Sequence, residues 1–127
     1  MKTALNEPSH VQVPARIPIG ADLSTWARHH WQNGVQVDEL WAGDELVIKT
    51  ANTTYEMTVT SPRAREVILT GGLFFPDRTR VRLDGCSLRG AFLKLGGIYI
   101  GFSLEFRHEG GVVVTSPVQS IGFVQHG

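Results

Sequence analysis

The sequence predicts a mainly β protein: a small β-barrel or tightly curled antiparallel sheet with one α-helix packed against it. Three observations carry that expectation. Apolar residues recur on alternate positions through most of the chain after Val35, most clearly at Ile98, Ile100, Phe102, Leu104 and Phe106. The alternating segments are short and broken by glycine, of which there are 14. Only one stretch, Leu23, Trp26, Ala27, His30 and Trp31, has helical spacing.

Residues 1–10 lack periodicity and are expected to form a flexible N-terminal segment, with residues 11–127 as a single β-rich domain. Pro14 and Pro18 keep Val11 to Ile19 extended but unsuited to a central strand, because proline has no N–H for the ladder. The helix follows, with Asp22 or Ser24 to cap its start and Asn33-Gly34 to end it. Its apolar stripe reads as a face packed over a sheet or across a barrel mouth.

From Val35 the period switches to two. Val35 to Trp41 is read as a strand, Gly43-Asp44 as a turn, and Glu45 to Ala51 as the next strand. Asn52-Thr53 turns the chain into Thr54 to Thr60, Ser61-Pro62 ends that strand, and Arg65 to Thr70 follows up to Gly71-Gly72. Arg78 to Leu83 alternates again, Gly85 and Gly90 bracket a loop, and Phe92 to Leu95 is a short strand. Gly96-Gly97 leads into the long alternating strand, and Glu109-Gly110-Gly111 makes a hairpin to Val112 to Thr115. Ser116-Pro117 marks a bulge or break before Val118 to Val124. The long strand and Val112 to Thr115 offer an edge for pairing between subunits, so a homo-oligomer is one expectation.

Twelve Lys plus Arg balance twelve Asp plus Glu, so no overall field draws this chain to nucleic acid or an anionic membrane. Charge is nevertheless segregated: residues 62–94 hold seven basic and three acidic side chains, residues 35–61 one basic and five acidic. No apolar run approaches the roughly 20 residues of a spanning helix, and no signal peptide is evident, so a soluble cytoplasmic protein is expected. The single cysteine, Cys86, rules out an internal disulfide and points the same way.

Chemistry is sparse. His29 and His30 diverge by about 100° on a helix, and His10, His108 and His126 are isolated, so no metal or organic cofactor is expected. Cys86 and Ser87 sit in a glycine-flanked segment, but a nucleophile needs a positioned base and an oxyanion site, and neither is visible. Asp38-Glu39 and Asp44-Glu45 lie beside turns, where solvated acids are ordinary. A noncatalytic binding or interaction module is therefore expected ahead of an enzyme. The one candidate surface is Arg78, Arg80 and Arg82, joined by Arg89, which on a strand project from one face at about 7 Å intervals, the scale of successive phosphates. The alternative reading is that these arginines solubilise an exposed sheet face and pair with acids on the neighbouring strand.

Arg78 and Arg82, followed by Ser87 and Gly90 in Gly85-Cys86-Ser87-Leu88-Arg89-Gly90, resemble the arginine pair and turn of PilZ domains, β-barrels that bind a cyclic dinucleotide. In that motif an Asp or Asn precedes the serine by two residues; here the position is Gly85, and the arginines stand directly before the turn with no strand between. The resemblance covers about fifteen residues and implies an anionic nucleotide as ligand.

Overall fold

The computed structural model describes residues 33–88 and 91–124. Nine strands lie among them: β1 (Gly34–Gln36), β2 (Glu45–Thr50), β3 (Thr54–Ser61), β4 (Glu66–Gly71), β5 (Phe75–Leu88), β6 (Ala91–Leu95), β7 (Gly97–Tyr99), β8 (Ser103–His108) and β9 (Gly111–Phe123). Seven form one antiparallel sheet in the order β4-β3-β2-β9-β8-β5-β6, and an additional β4–β5 pairing closes six of them into a ring. β1 and β7 form a separate two-stranded sheet.

The mainly β architecture is as expected. The helix is not found: the described residues contain no α-helix, and the stretch from Asp22 to Gln32 lies outside them, as do the segment 1–10 and the extended stretch Val11 to Ile19.

The interior is built by alternation. Leu46 and Ile48 of β2 stand opposite Met57 and Tyr55 of β3, Met57 opposite Leu69 of β4, and Val59 opposite Val67, which in turn faces Val81 of β5. Every one of these side chains is buried, because a closed ring gives each strand one inner and one outer face. Phe106 sits among aromatic neighbours, with Tyr55 and Phe75 rings at 6.1 and 6.2 Å, the latter edge-on. Each large side chain so enclosed contributes about 1.5–3 kcal/mol against the unfolded chain.

Three readings of the sequence are corrected. Val35 to Trp41 is not one strand: β1 stops at Gln36 and Val37–Glu39 is a 3-10 turn closed by Leu40 N–H donating to the Val37 carbonyl. Buried Val37 anchors this turn, and Trp41 beyond it is 80% exposed. The long alternating strand is also broken. After Tyr99 the chain turns, with the Phe102 N–H donating to the Tyr99 carbonyl and Gly101 at φ +95°, so β7 pairs with β1 while β8 enters the ring. Finally, Gly85 to Leu88 is strand: β5 runs 14 residues, pairing first with β4 and then with β8 and β6. Gly85 permits this crowding, since a Cβ there would lie 2.1 Å from the Lys94 carbonyl oxygen.

The bulge read at Ser116-Pro117 falls beside it. Between the pairs Glu105↔Val114 and Ser103↔Pro117, β9 carries one residue more than β8. The Thr115 hydroxyl accepts the Leu104 N–H at 2.9 Å and donates to the Ser116 carbonyl at 2.7 Å, replacing the interrupted ladder bond. The strand then continues through Pro117 to pair with β2. The ring leaves neither β8 nor β9 as an edge: β8 lies between β5 and β9, and β9 between β2 and β8. The strand that ends the sheet is β6.

Candidate arginine-lined site

Alternation along β5 sends Val81 and Leu83 inward and Arg78, Arg80 and Arg82 outward, as read from the sequence. Register then separates the three. Arg80 and Arg82 line a groove of about 450 Å³ with Glu66, Arg107 and His108, whereas Arg78 lines another, of about 240 Å³, with Glu45 and Glu56. Arg78 thus sits among acids two and three strands away, consistent with a solubilising outer face. Arg89 lies outside the described residues.

The groove gains a residue the sequence reading missed. Arg82 stands directly opposite Arg107 across the β5–β8 ladder, a pairing of like charges that costs free energy unless something intervenes. Asp84 intervenes. Arg82 Nε donates to its Oδ1 at 2.8 Å, while Arg107 Nε and Nη2 lie 3.1 and 3.0 Å from Oδ2. The Asp84 side chain is only 7% exposed, and the two guanidinium side chains are 47% and 46% exposed. A buried carboxylate therefore fixes two arginines side by side, each with part of its surface turned to water. Arg80 adds a third cation at the rim, 3.8 Å from Glu66, a loose surface pair worth little by itself. His108 closes one end, its ring edge-on to Phe75 at 5.9 Å and its Nε2 3.6 Å from Glu109.

Chemically, this is a set of oriented N–H donors. A guanidinium has five, so Arg82 and Arg107 retain donors after serving Asp84, and a planar fork of this kind matches the oxygens of phosphate or carboxylate. The acids in and under the groove balance its arginines, so recognition rests on orientation more than on field.

Cys86 is not placed for catalysis. It is fully buried opposite Leu104, and its thiol is pushed up to about 12, chiefly by burial, with Lys94 partly opposing. Ser87 is buried beside it. Tyr99 is raised as well, first by burial and then by the neighbouring Cys86 and acidic groups. Among the described residues no group of three His, Cys, Asp or Glu could hold a metal ion, and no helix is long and apolar enough to cross a membrane.

No family model matches this chain, and neither the curated proteins nor the solved structures contain a match to it. The segment that resembles the PilZ turn is, through Leu88, part of β5, and the two arginines of that resemblance, Arg78 and Arg82, line different grooves.

Proposed function

We propose that this chain is a noncatalytic binding module, a small six-stranded barrel whose outer face takes an oxyanion, carried by a phosphate-bearing or similar ligand, on Arg82 and Arg107 with Arg80 at the rim. The observation that supports it is the Asp84 clamp. A surface arginine used only for solubility needs no buried carboxylate behind it, whereas two guanidiniums held side by side before the ligand arrives lose less conformational freedom on binding. A free buried thiol at Cys86 fits a reducing, cytoplasmic setting.

The test is a titration of labelled single-stranded RNA, of a cyclic dinucleotide and of inorganic pyrophosphate against the parent, Arg82→Gln/Arg107→Gln and Asp84→Asn. Binding by the parent should weaken with salt, because phosphate contacts release counterions. It should be lost in the double variant. Asp84→Asn separates orientation from charge: it removes a negative charge, so a simple electrostatic patch would bind more tightly, while a preorganised fork would bind less tightly. Equal affinities across the three proteins, or tighter binding by Asp84→Asn, would refute the proposal.

A second reading, self-association, has one observation of its own. β6 ends the sheet with Leu93 and Leu95 44% and 57% exposed, an apolar strand at an edge. Sedimentation of the parent and of Leu93→Lys/Leu95→Lys decides it: a dimer that the lysines dissociate supports this reading, and a monomeric parent removes it.

A further inference from the structure

The groove that holds Arg82 and Arg107 also holds a carboxylate that is fixed in place without a close cationic partner. Glu66 stands directly opposite Arg82 across the β4–β5 ladder, and Arg107 stands opposite Arg82 on the other side, so the row runs acid, arginine, arginine. Neighbours in such a row have Cβ atoms about 5 Å apart, near enough for a Glu–Arg pair to close. It does not close. Arg82 gives its Nε to Asp84 at 2.8 Å, and Glu66 is left with the 67% exposed Arg80 at 3.8 Å, too long for a hydrogen bond.

A bulge holds Glu66 instead. Between the pairs Val59↔Val67 and Ser61↔Glu66, β3 carries one residue more than β4, and the extra residue is Thr60. Its hydroxyl lies 2.9 Å from the Glu66 carbonyl oxygen and 3.3 Å from Oε1, sharing its proton between them. The Arg80 contact also falls on Oε1, so neither contact uses Oε2. Glu66 is thus a carboxylate 36% exposed and one strand spacing, about 4.8 Å, from the strand of Arg82. Glu109, the other acid lining the groove, is 83% exposed in the hairpin loop and lacks such a support.

Arg80, Arg82 and Arg107 are matched by Asp84, Glu66 and Glu109, so the groove has no net charge to offer an anion. A bare oxyanion on Arg82 and Arg107 would lie beside the like charge of Glu66. An oxyanion that carries its own cation would set that cation against it. We propose that the ligand is a small zwitterion, an aminoalkyl phosphate, with its phosphate on Arg82 and Arg107 and its ammonium on Glu66. This rests on the reading of the groove as an oxyanion site and narrows it. An ammonium brings three N–H donors, and a carboxylate one strand away from the guanidiniums suits a phosphate and an amine joined by a short alkyl chain. Discrimination then comes from unlike groups placed side by side, a contact that an oxyanion without the amine cannot make.

Calorimetric titration of the full chain with phosphoethanolamine and with ethyl phosphate, which lacks only the amino group, tests this. The parent should bind phosphoethanolamine at least about fivefold more tightly, the size of one partly exposed charge-assisted contact. Glu66→Gln keeps an acceptor for Thr60 but removes the charge, and should bring the two affinities within about twofold of each other. Glu109→Gln removes a charge from the same groove and should leave the preference as it is in the parent. Circular dichroism checks the fold of both variants. Competition by phosphatidylethanolamine vesicles, and not by phosphatidylcholine vesicles, would assign the aminoalkyl phosphate to a lipid headgroup; without competition it is the free compound. Equal affinities in the parent, a preference that survives Glu66→Gln, or one lost equally in Glu109→Gln would overturn the zwitterion and leave the oxyanion site standing. Binding of neither compound by the parent would overturn both.

Discussion

Replacing Asp84 by Asn should cost about 2–3 kcal/mol. The carboxylate accepts three N–H contacts from two arginines, at 2.8, 3.1 and 3.0 Å. Charge-assisted bonds of this kind are worth about 1.5–3 kcal/mol each when desolvated, but both guanidiniums are nearly half exposed, so water screens them and the sum must be cut by half or more. What remains is enlarged by the residue left behind: an amide turns a donor toward guanidiniums that have only donors to offer, and Arg82 faces Arg107 with no charge between them. In urea, with a slope of about 1–3 kcal/mol per molar, that loss moves the unfolding midpoint down by about 1–2 M. Asp77→Asn, on the exposed start of the same strand, serves as the control and should move it by less than about 0.3 M. A cycle combining Asp84→Asn with Arg107→Gln should show a coupling of about 1 kcal/mol, since the second change then removes a partner already lost. If Asp84→Asn unfolds within about 0.3 M of the parent, the clamp contributes nothing, and the argument for a preorganised pair fails with it.

Other outcomes follow from the same structure. Cys86, with its thiol near 12, should resist a thiol-specific disulfide reagent at pH 8 in the folded protein and react fully in denaturant; fast reaction in the native state would contradict its burial. Because the folded thiol and the Tyr99 phenol both ionise at higher pH than in the unfolded chain, folding keeps protons on them that the unfolded chain gives up. Stability should therefore hold below about pH 9 and fall from there toward 12, with a shallower fall in Cys86→Ala, measured as urea midpoints against pH. Glu109→Asn should stabilise by about 0.5–1 kcal/mol, because Glu109 and Gly110 have φ of +50° and +80° in a two-residue hairpin loop where Asn accepts positive φ more readily than Glu. An unchanged melting temperature would show that the loop carries no strain. Gly85→Ala should lose at least about 3 kcal/mol or fail to fold, since the added methyl meets the Lys94 carbonyl, and a near-parental midpoint would mean that β6 moves aside freely.

How much of this was legible beforehand depended on whether one strand or two were needed to see it. Alternation is a property of a single strand, so the inward set Leu46, Ile48, Tyr55, Met57, Val59, Val67 and Leu69 and the outward arginines of β5 could be read directly. The site is a property of register. That Arg107 faces Arg82 depends on how β8 slides against β5, and the shift between Leu83 and Gly85 leaves no trace in composition. One signal was present: Arg82 and Asp84, at i and i+2 of a strand, share a face and could be expected to meet. The break at Tyr99 to Phe102 was hidden because Ile98 and Phe102 keep the alternation on either side of a turn, with only Gly101 to betray it. The loop assigned to Gly85 failed for the converse reason, as a glycine kept for close approach of β6 looks the same as a glycine kept for a turn.

The position of β9 also bears on how the protein reaches its structure. The last strand of the nine is inserted between β2 and β8, near opposite ends of the described sequence, and not added at the margin of a finished sheet. Until β9 reaches β2, the β8–β9 hairpin and β2 each present a row of unpaired amides and carbonyls, so the unclosed sheet has two adhesive borders. Closure requires contacts as distant in sequence as Leu46 with Phe123, which makes it slow relative to the hairpins formed by β2, β3, β4 and the first half of β5. The unclosed sheet exposes strand edges that the finished ring pairs, so a variant of β9 that slows closure is expected to aggregate during folding even where its native state is untouched.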